Sequence, residues 1–477
     1  TGPSWVDPRS GEIINASVYV YHDIIKLINR WRFVQTAAAD SSVRTNDISQ
    51  EITGDALRYV ITHEIGHTLG FMHNMSGSSV IPVEDLRSSK SNGTTTTIMD
   101  YARFNYVAQP GDKEKGASMT PPRFGAYDRW LVKWTYTPVF DMSFEKEAEL
   151  TSDWITEALA KDAYYRYGKQ QFSFALFDPR SQTEDLGDDA VKATKYGVAN
   201  LKYITEHFMD WLSKGDDEYE HRMAIYNSIL NQYVMYAQHV ALNVGGLYKN
   251  EIKYGDGQSF RYKNIPFKKQ KEALNYLFRL WEDTDWIDSK EVVSKLPVIG
   301  SPKRAVQKNI EELILILPIL QSTSDGVESH QYSSVDCLWD IANKVFSPSS
   351  KGSRLTAEQR SFQSNFVYTI MNLGSFPIPG ATNSFVSNSH PEHIECSCSS
   401  CWTPELDFVS ESVRPISGFE WFPRYIFNMN SDLTKANLYA VLKHVSDIMT
   451  NAKRGANSVD KVHYETLIES INYSTKK

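Results

Sequence analysis

Several features that mark other protein classes are scarce or missing in this 477-residue chain. It contains only four cysteines, too few for the disulfide framework that holds small secreted domains together. No stretch of eighteen apolar residues occurs, and the longest apolar run, residues 313–320, is interrupted by Pro318. A membrane-spanning segment is therefore not predicted, and this run is expected to be a buried helix or strand.

An excess of positive charge is also missing. The formal net charge is −8 and the pI is about 5.9, which argues against nucleic acid as a partner. Hydrophobic residues make up 41% of the chain, enough for substantial cores. The length suggests two or three domains, and we place the boundaries to give 1–139, 140–300 and 301–477. The oligomeric state is left open.

The strongest functional signal is the sequence HEIGHTLGFMH at residues 63–73. On a helix, His63 and His67 are four residues apart, so their imidazoles project from one face and can share a metal ion. Glu64 lies beside them and is placed to take a proton from a metal-activated water. This spacing predicts a catalytic zinc site on a helix.

The second half of the same motif supplies a turn and a third ligand. Gly70 allows the chain to leave the helix through a conformation that is costly for other residues. That turn can bring His73 round as a third nitrogen ligand. Three protein ligands leave a fourth position for water or substrate, which is the catalytic and not the structural arrangement of zinc.

Apolar periodicity predicts helices around this motif. We expect the zinc-binding helix at residues 55–69, with Asp55 as its N-cap, and further helices at 23–34 and 125–136. Alternation predicts a strand at 13–21, which either borders the substrate cleft or lies inside a sheet. Beyond the first domain the chain is expected to be mostly helical, at residues 190–212, 218–242, 270–286, 308–320, 333–346, 356–373 and 434–452.

A downstream element strengthens the interpretation. Residues 97–101 read TIMDY, and together with the elongated histidine motif they resemble the metzincins, a clan of zinc metallopeptidases with a methionine-containing turn. Met99 matches the methionine that supports the site without binding zinc, a role compatible with ordinary core packing. Tyr101 matches a tyrosine that several metzincin families place near the zinc, where it ligates the metal or donates to the tetrahedral intermediate. A tyrosine packed into the turn is the alternative.

A narrower resemblance is to a bacterial group of secreted, zinc-dependent Met-zincin proteases. It rests on residues 2–9 (GPSWVDPR), 99–110 (MDYARFNYVAQP), 178–180 (DPR) and 183–189 (TEDLGDD). The resemblance implies a secreted, periplasmic or cell-surface location in a bacterium. Only 62 residues precede His63, fewer than metzincin catalytic domains usually have there, so part of the N-terminal region is expected to be missing.

The resemblance also implies the fold. We expect an α+β protein, in which a metzincin-like catalytic domain with a mixed sheet and a zinc-binding helix precedes a large, mostly helical region. In the clan, the segment after the methionine turn walls the pocket for the side chain that follows the scissile bond. Phe104 and Tyr106 are candidates for that wall, and simple packing is the alternative.

A second metal site is a further candidate. His393, Cys396, Cys398 and Cys401 give the spacing H-x2-C-x-C-x2-C, which could hold a structural zinc. The alternatives are a disulfide between Cys398 and Cys401 or involving Cys337, or free thiols in a loop. Cys337 by itself is expected to be a small buried side chain.

The acidic residues of segment 184–189 leave two interpretations open. They could bind a cation such as calcium, or they could cap and charge the first turn of the helix that follows.

The function that these patterns favour is a zinc-dependent endopeptidase acting on a protein or peptide. A different class is a binding or scaffold protein that keeps zinc without cleaving, and a third is a zinc hydrolase of a non-peptide amide. The presence of Glu64 argues against the scaffold, because a site that no longer catalyses does not need its base.

Overall fold

The computed structural model describes residues 4–171, 177–250, 261–325, 327, 332–378 and 433–476. The protein is α+β with a large helical region, as predicted, but its described strands form two-stranded antiparallel pairs where a mixed sheet was expected. In chain order the α-helices are α1 (Ile24–Thr36), α2 (Gln50–Thr68), α3 (Ala126–Tyr136), α4 (Phe144–Lys161), α5 (Ala190–Trp211), α6 (Glu220–Ala241), α7 (Phe267–Glu282), α8 (Lys290–Val293), α9 (Pro302–Ser322), α10 (Ser334–Val345), α11 (Ser347–Ser350), α12 (Ala357–Leu373), α13 (Lys435–Ala452) and α14 (Ser458–Thr475).

The strands form two small antiparallel pairs in the described part of the chain. One pairs β1 (Ser4–Val6) with β2 (Ile13–Ala16), and the other pairs β3 (Leu247–Lys249) with β4 (Tyr262–Asn264). The predicted strand at 13–21 therefore ends after Ala16, five residues early. Side chains of this strand lie on the surface, and Ile14, for example, is 67% exposed. No second layer of structure among the described residues packs on the strand to bury one of its faces.

The zinc-motif helix is longer than predicted at its N-terminal end. α2 begins at Gln50, and Ser49, not Asp55, is its N-cap, with Ser49 Oγ accepting from the amide of Ile52 at 3.4 Å. Asp55 instead pairs with Arg58 one turn further on, at 3.0 Å. A polar first turn carries little apolar periodicity, so the sequence pattern placed the start too late.

The predicted helices beyond residue 139 are all present, with ends shifted by a few residues. Two long helices, α4 and α14, were not predicted. α4 has apolar residues at helical spacing, Trp154, Ile155, Ala158 and Leu159, so the same pattern could have predicted it, although only Ala158 is buried. The buried face of α14 includes polar residues such as Asp460 and Ser470, which mask the same pattern.

The apolar run at 313–320 lies inside α9, and most of its side chains are buried. Pro318 is accommodated within that helix. None of the described helices combines the length and the apolarity needed to cross a bilayer.

One large hydrophobic cluster extends from α1 to α14. It includes Phe33 from α1, Tyr106 from the segment after the methionine turn, and Tyr236 from α6; the Tyr106 and Tyr236 rings lie 4.5 Å apart. Residues on both sides of the proposed boundary at 139 thus share a core. The division into 1–139, 140–300 and 301–477 stays a prediction.

Candidate metal centre

Three histidines of the motif come together in the structure. The ligand atoms of His63, His67 and His73 all lie within 4.8 Å of one another, the spacing of a group that could hold a metal ion. His63 and His67 project from α2, and His63 is completely buried. The helical spacing and the turn therefore bring together the three side chains that the sequence singled out.

The turn between the helix and His73 has the expected geometry. Gly70 has a φ of +83°, in the left-handed region that favours glycine. The Phe71 amide donates to Gly66 O at 3.0 Å and the Gly70 amide donates to His67 O at 3.0 Å, the paired bonds of a Schellman motif. This turn reverses the chain tightly enough for His73 to approach the two helical histidines.

Each of the three histidines is oriented by a hydrogen bond at Nδ1, which leaves Nε2 as the nitrogen that could bind a metal. Nδ1 lies 2.7 Å from Ile98 O in His63, 2.8 Å from Phe71 O in His67, and 2.6 Å from Gln170 Oε1 in His73. Because these oxygens only accept, each Nδ1 carries the proton and each Nε2 keeps its lone pair. Such outer partners fix the tautomer of metal-ligating histidines.

The donor set fits zinc. Nε2 of His67 and Nε2 of His73 lie 3.0 Å apart. Two lone pairs at that distance repel unless a cation lies between them. Tetrahedral Zn–N bonds of about 2.0–2.1 Å place two ligand nitrogens roughly 3.3 Å apart, close to the observed separation.

The electrostatics of the site favour neutral imidazoles. Burial lowers the pKa of His63 well below its usual value. Burial, and then the charge of His67, lowers the pKa of His73 to about 4. Since a metal ion binds the unprotonated imidazole, the protein environment favours the ligating form at neutral pH.

Met99 lies directly beneath the helix of the motif. It is completely buried, and its Sδ lies so close to Gly66 that a Cβ at that position would collide with it. The Met99 carbonyl also accepts from the Asn74 amide at 3.0 Å. Met99 therefore contacts both the helix and the segment that carries His73, the position expected of a supporting methionine.

Tyr101 and Glu64 flank the histidines. The Tyr101 hydroxyl lies 2.9 Å from His73 Nε2, and the two rings are 4.7 Å apart. Tyr101 is 6% exposed, so it is packed into the turn as well as close to the ligand atoms. Glu64 is 7% exposed and follows His63 on α2. Both predicted catalytic side chains are at the centre, and their roles stay predictions.

Asp128 is a residue that the sequence reasoning missed. It lies on α3, and its carboxylate accepts from Thr97 Oγ1 at 2.6 Å, from the Ile98 amide at 3.0 Å and from the Gly125 amide at 2.6 Å. Ile98 in turn holds His63. An acidic residue near a helix start is the one signal available in the sequence, and it does not indicate what the carboxylate binds.

The segment at 166–170 is a second missed contributor. Gln170 binds His73, and the neighbouring Asn74 is held on both sides of its amide. Asn74 Oδ1 accepts from the Gly168 amide and Asn74 Nδ2 donates to Arg166 O, each at 2.9 Å. No spacing rule connects residue 170 with residue 73, because the two meet only through tertiary folding.

The remaining sequence candidates have different outcomes. Phe104 and Tyr106 are each 2% exposed and pack into cores, so packing describes them better than a pocket wall. Cys337 is a free, completely buried cysteine. The proposed second metal site, at His393, Cys396, Cys398 and Cys401, lies outside the described residues.

In the acidic segment 184–189, the capping interpretation accounts for Asp189. Its side chain accepts from the Lys192 amide at 3.0 Å and caps α5. Glu184 pairs with Arg103 at 2.5 Å, and Asp188 accepts from the Val83 amide at 3.0 Å.

Comparison with known proteins gives one result at the level of the family. The family described as Met-zincin matches residues 45–352, which include the histidine motif, the methionine turn and helices α2 to α11. Searches of curated proteins and of solved structures found no match. The matched family implies zinc, in agreement with the three histidines that could bind a metal. The match covers more than half of the chain, which therefore belongs to the Met-zincin family.

Proposed function

We propose that this chain is a zinc-dependent endopeptidase in which His63, His67 and His73 hold the metal. The observation that carries the proposal is the convergence of three imidazoles with their Nδ1 protons fixed outward and their lone pairs facing one another. Membership of the Met-zincin family supports it. A secreted, periplasmic or cell-surface location in a bacterium is proposed on the resemblance alone.

The mechanism assigns a proton-handling role to each flanking side chain. Zinc, when bound, would polarise the scissile carbonyl and acidify water. Glu64 accepts the proton of the attacking water and then delivers a proton to the leaving amine, which cannot depart as an anion. The Tyr101 hydroxyl donates to the oxygen of the former carbonyl as negative charge develops there.

The test replaces the proposed general base, Glu64, and keeps the three histidines that would bind zinc. Glu64→Gln should bind zinc as the wild type does, and its cleavage of an unfolded protein substrate should fall by at least about a hundredfold. Metal content would be measured by elemental analysis, and cleavage by mass spectrometry with and without a chelator. Glu51→Gln, an exposed change in the first turn of the same helix, is the matched control and should cleave normally.

Each other outcome favours a named alternative. Zinc binding without chelator-sensitive cleavage in the wild type would favour the scaffold function. Hydrolysis of small amides without cleavage of peptides would favour the non-peptide hydrolase. Full activity in Glu64→Gln would contradict the proposed mechanism.

A further inference from the structure

A continuous path of hydrogen bonds connects the carboxylate of Asp128 with Nδ1 of His63. Thr97 Oγ1 donates to Asp128 Oδ1 at 2.6 Å, and the Met99 amide donates to Thr97 Oγ1 at 3.0 Å. The Ile98 carbonyl belongs to the same peptide group as the Met99 amide, and it accepts from His63 Nδ1 at 2.7 Å. We refer to this path, from α3 through the methionine turn to α2, as the relay.

Every donor in the relay points toward the carboxylate. The Thr97 hydroxyl has one proton and gives it to Asp128, so its oxygen lone pairs are free to accept from the Met99 amide. A carbonyl oxygen only accepts, so the proton between Ile98 and His63 is carried by Nδ1. Hydrogen bonds aligned in this way polarise one another, and the negative charge at the far end makes the Ile98 carbonyl a stronger acceptor.

The relay lies in the interior of the protein. The side chains of Asp128, Thr97, Met99 and His63 are completely buried, and Ile98 is nearly so. A hydrogen bond is electrostatically stronger in such a low-dielectric environment than in water. The charge of the carboxylate is therefore poorly screened along the whole path.

The groups around Asp128 favour its ionised form. In addition to Thr97, the Gly125 amide donates to Oδ2 at 2.6 Å and the Ile98 amide donates to Oδ2 at 3.0 Å. Burial raises the pKa of this carboxyl above its usual value, and the three donors limit that rise. Hydrogen bonds donated to a carboxylate stabilise its charged state, so the relay ends on a negative charge.

His67 provides an internal reference, because its acceptor lies close to solvent. Its Nδ1 donates to the Phe71 carbonyl at 2.8 Å. Met72 supplies the amide of that peptide group, and its side chain is 65% exposed. The two helical histidines thus differ in what lies behind their carbonyl partners, a buried carboxylate for His63 and the protein surface for His67.

We propose that Asp128 and Thr97 are positioning residues that strengthen His63 as a metal ligand through the relay. The inference rests on the proposed function, since it concerns the ligands of the same metal centre. In many zinc sites a carboxylate accepts directly from a ligating histidine and raises the basicity of its other ring nitrogen. Here a hydroxyl and a peptide group lie between the carboxylate and His63, and the nitrogen affected is Nε2.

The experiment measures zinc affinity and the NMR resonance of the His63 Nδ1 proton in the full chain labelled with ¹⁵N-histidine. Thr97→Val keeps the shape of the side chain and removes only the hydroxyl. We expect zinc binding, in competition with a chelator, to weaken by about tenfold. The Nδ1 proton of His63 should move upfield, because a weaker acceptor deshields it less. Thr97→Ser restores the hydroxyl and should recover both properties.

Two controls make the result specific. The Nδ1 proton of His67, observed in the same samples, should keep its resonance in Thr97→Val. Thr95→Val removes another buried hydroxyl of the same segment, one that donates to Asp100 Oδ2 at 2.9 Å and lies outside the relay. It should leave zinc affinity and the His63 resonance unchanged. Urea unfolding of both valine variants allows affinities to be compared per folded molecule.

A second variant tests the end of the relay that carries the charge. Asp128→Asn should weaken zinc binding by at least as much as Thr97→Val, and the double variant should show little further loss, since both changes interrupt one path. If Asp128→Asn does not fold, the comparison of Thr97→Val with Thr97→Ser still decides. An unchanged His63 resonance and zinc affinity in Thr97→Val would overturn the inference. An equal loss in Thr95→Val would also overturn it, because the turn would then only be loosened.

These measurements do not depend on turnover, so the inference and the proposed function can fail separately. The expected changes in a chain that binds zinc and cleaves no peptide would support the relay and overturn the endopeptidase. Chelator-sensitive cleavage together with no effect of Thr97→Val would overturn the relay alone. A wild-type chain that binds no zinc would overturn both.

Discussion

Gly66 occupies one of the two positions that the HExxH motif leaves unspecified, and packing restricts the size of the side chain there. A glycine in the middle of a helix usually costs up to about 1 kcal/mol relative to alanine. At Gly66 the absence of a side chain is required, because Met99 Sδ occupies the space that a Cβ would need. Gly54, in the same helix, has no atom within 4 Å of the corresponding Cβ position.

The two glycines give a matched pair of substitutions. We expect Gly54→Ala to stabilise the protein by about 0.5–1 kcal/mol through helix propensity. Gly66→Ala should destabilise it by about 1–3 kcal/mol, since the forced shift of Met99 outweighs that gain. Urea unfolding measures both, and equal free energies of unfolding for the two variants would show that Met99 yields without cost.

Asp100 lies between Met99 and Tyr101 and is completely buried. Burial raises the pKa of its carboxyl to about 7, although the Ser78 amide and Thr95 Oγ1 donate to Oδ2 at 2.7 and 2.9 Å. The folded chain therefore holds this proton more tightly than the unfolded chain, where the pKa is about 3.8. The contribution of this bound proton to the free energy of unfolding is fully present below about pH 4 and is lost as the pH rises through about 7.

This difference predicts a pH-dependent effect of one substitution. Asp100→Asn should gain stability relative to the wild type as the pH rises from about 5 to about 8, because asparagine has no proton to lose. Histidine titration contributes to both proteins and cancels in the comparison. Urea unfolding at the two pH values measures the difference, and a difference that does not vary with pH would contradict the raised pKa.

The segment that follows the methionine turn is held by a loop from the helical region. The Glu184 amide donates to Tyr101 O at 3.0 Å, and the Glu184 carboxylate pairs with Arg103 at 2.5 Å. Gln35 Nε2 donates to the same carboxylate at 3.0 Å. Arg103 and Glu184 both have left-handed φ angles, +47° and +64°, which non-glycine residues adopt only at a cost. The surrounding contacts therefore fix the backbone that presents Tyr101.

If Glu184 acts through Tyr101, the two side chains should be coupled energetically. We expect Glu184→Gln to lower kcat by about ten- to a hundredfold per folded, zinc-loaded molecule, because Tyr101 is misplaced. In a Tyr101→Phe background the same change should have little further effect. Peptide cleavage rates of the four proteins measure this coupling.

Asp178→Asn is the control for that cycle, since its carboxylate lies in the same loop region but pairs with Arg180. Its effect on kcat should be the same with and without the Tyr101 hydroxyl. Fully additive losses for Glu184→Gln and Tyr101→Phe would show that Glu184 only stabilises the fold.

Contacts across the proposed boundary at residue 139 should affect the folding and metal binding of a fragment that ends there. Gln170 orients His73, Glu184 holds the Tyr101 segment, and Tyr106 packs in the cluster that includes α6. A fragment of residues 1–139 would lose all three and expose the apolar surface that α5 and α6 cover. The metal centre thus depends on parts of the chain far from its motif.

We expect the 1–139 fragment to show no cooperative unfolding and to bind zinc at least about tenfold more weakly than the full chain, as loss of outer partners typically does. Circular dichroism during thermal unfolding and competition with a zinc chelator measure the two properties. A fragment that unfolds cooperatively and binds zinc as tightly as the full chain would instead confirm the boundary.

The sequence by itself determined which three histidines could hold a metal ion and where most of the helices lie. Residues at i and i+4 share a helix face, and a glycine after a helix permits a left-handed turn, so His63, His67 and His73 follow from local geometry. Long apolar periodicities predicted most of the helices for the same reason. The ends were less accurate, as at Ser49, because polar first turns carry no periodic signal.

Tertiary structure alone decided which residues hold the centre in place. Asp128, Gln170 and Glu184 reach it from 30 or more positions away along the chain from the residues they contact. It also decided that the segment at 13–21 is a short exposed strand, since alternation cannot tell whether another layer covers it. Local spacing fixes side-chain directions within an element, whereas the partners of that element depend on how the whole chain packs.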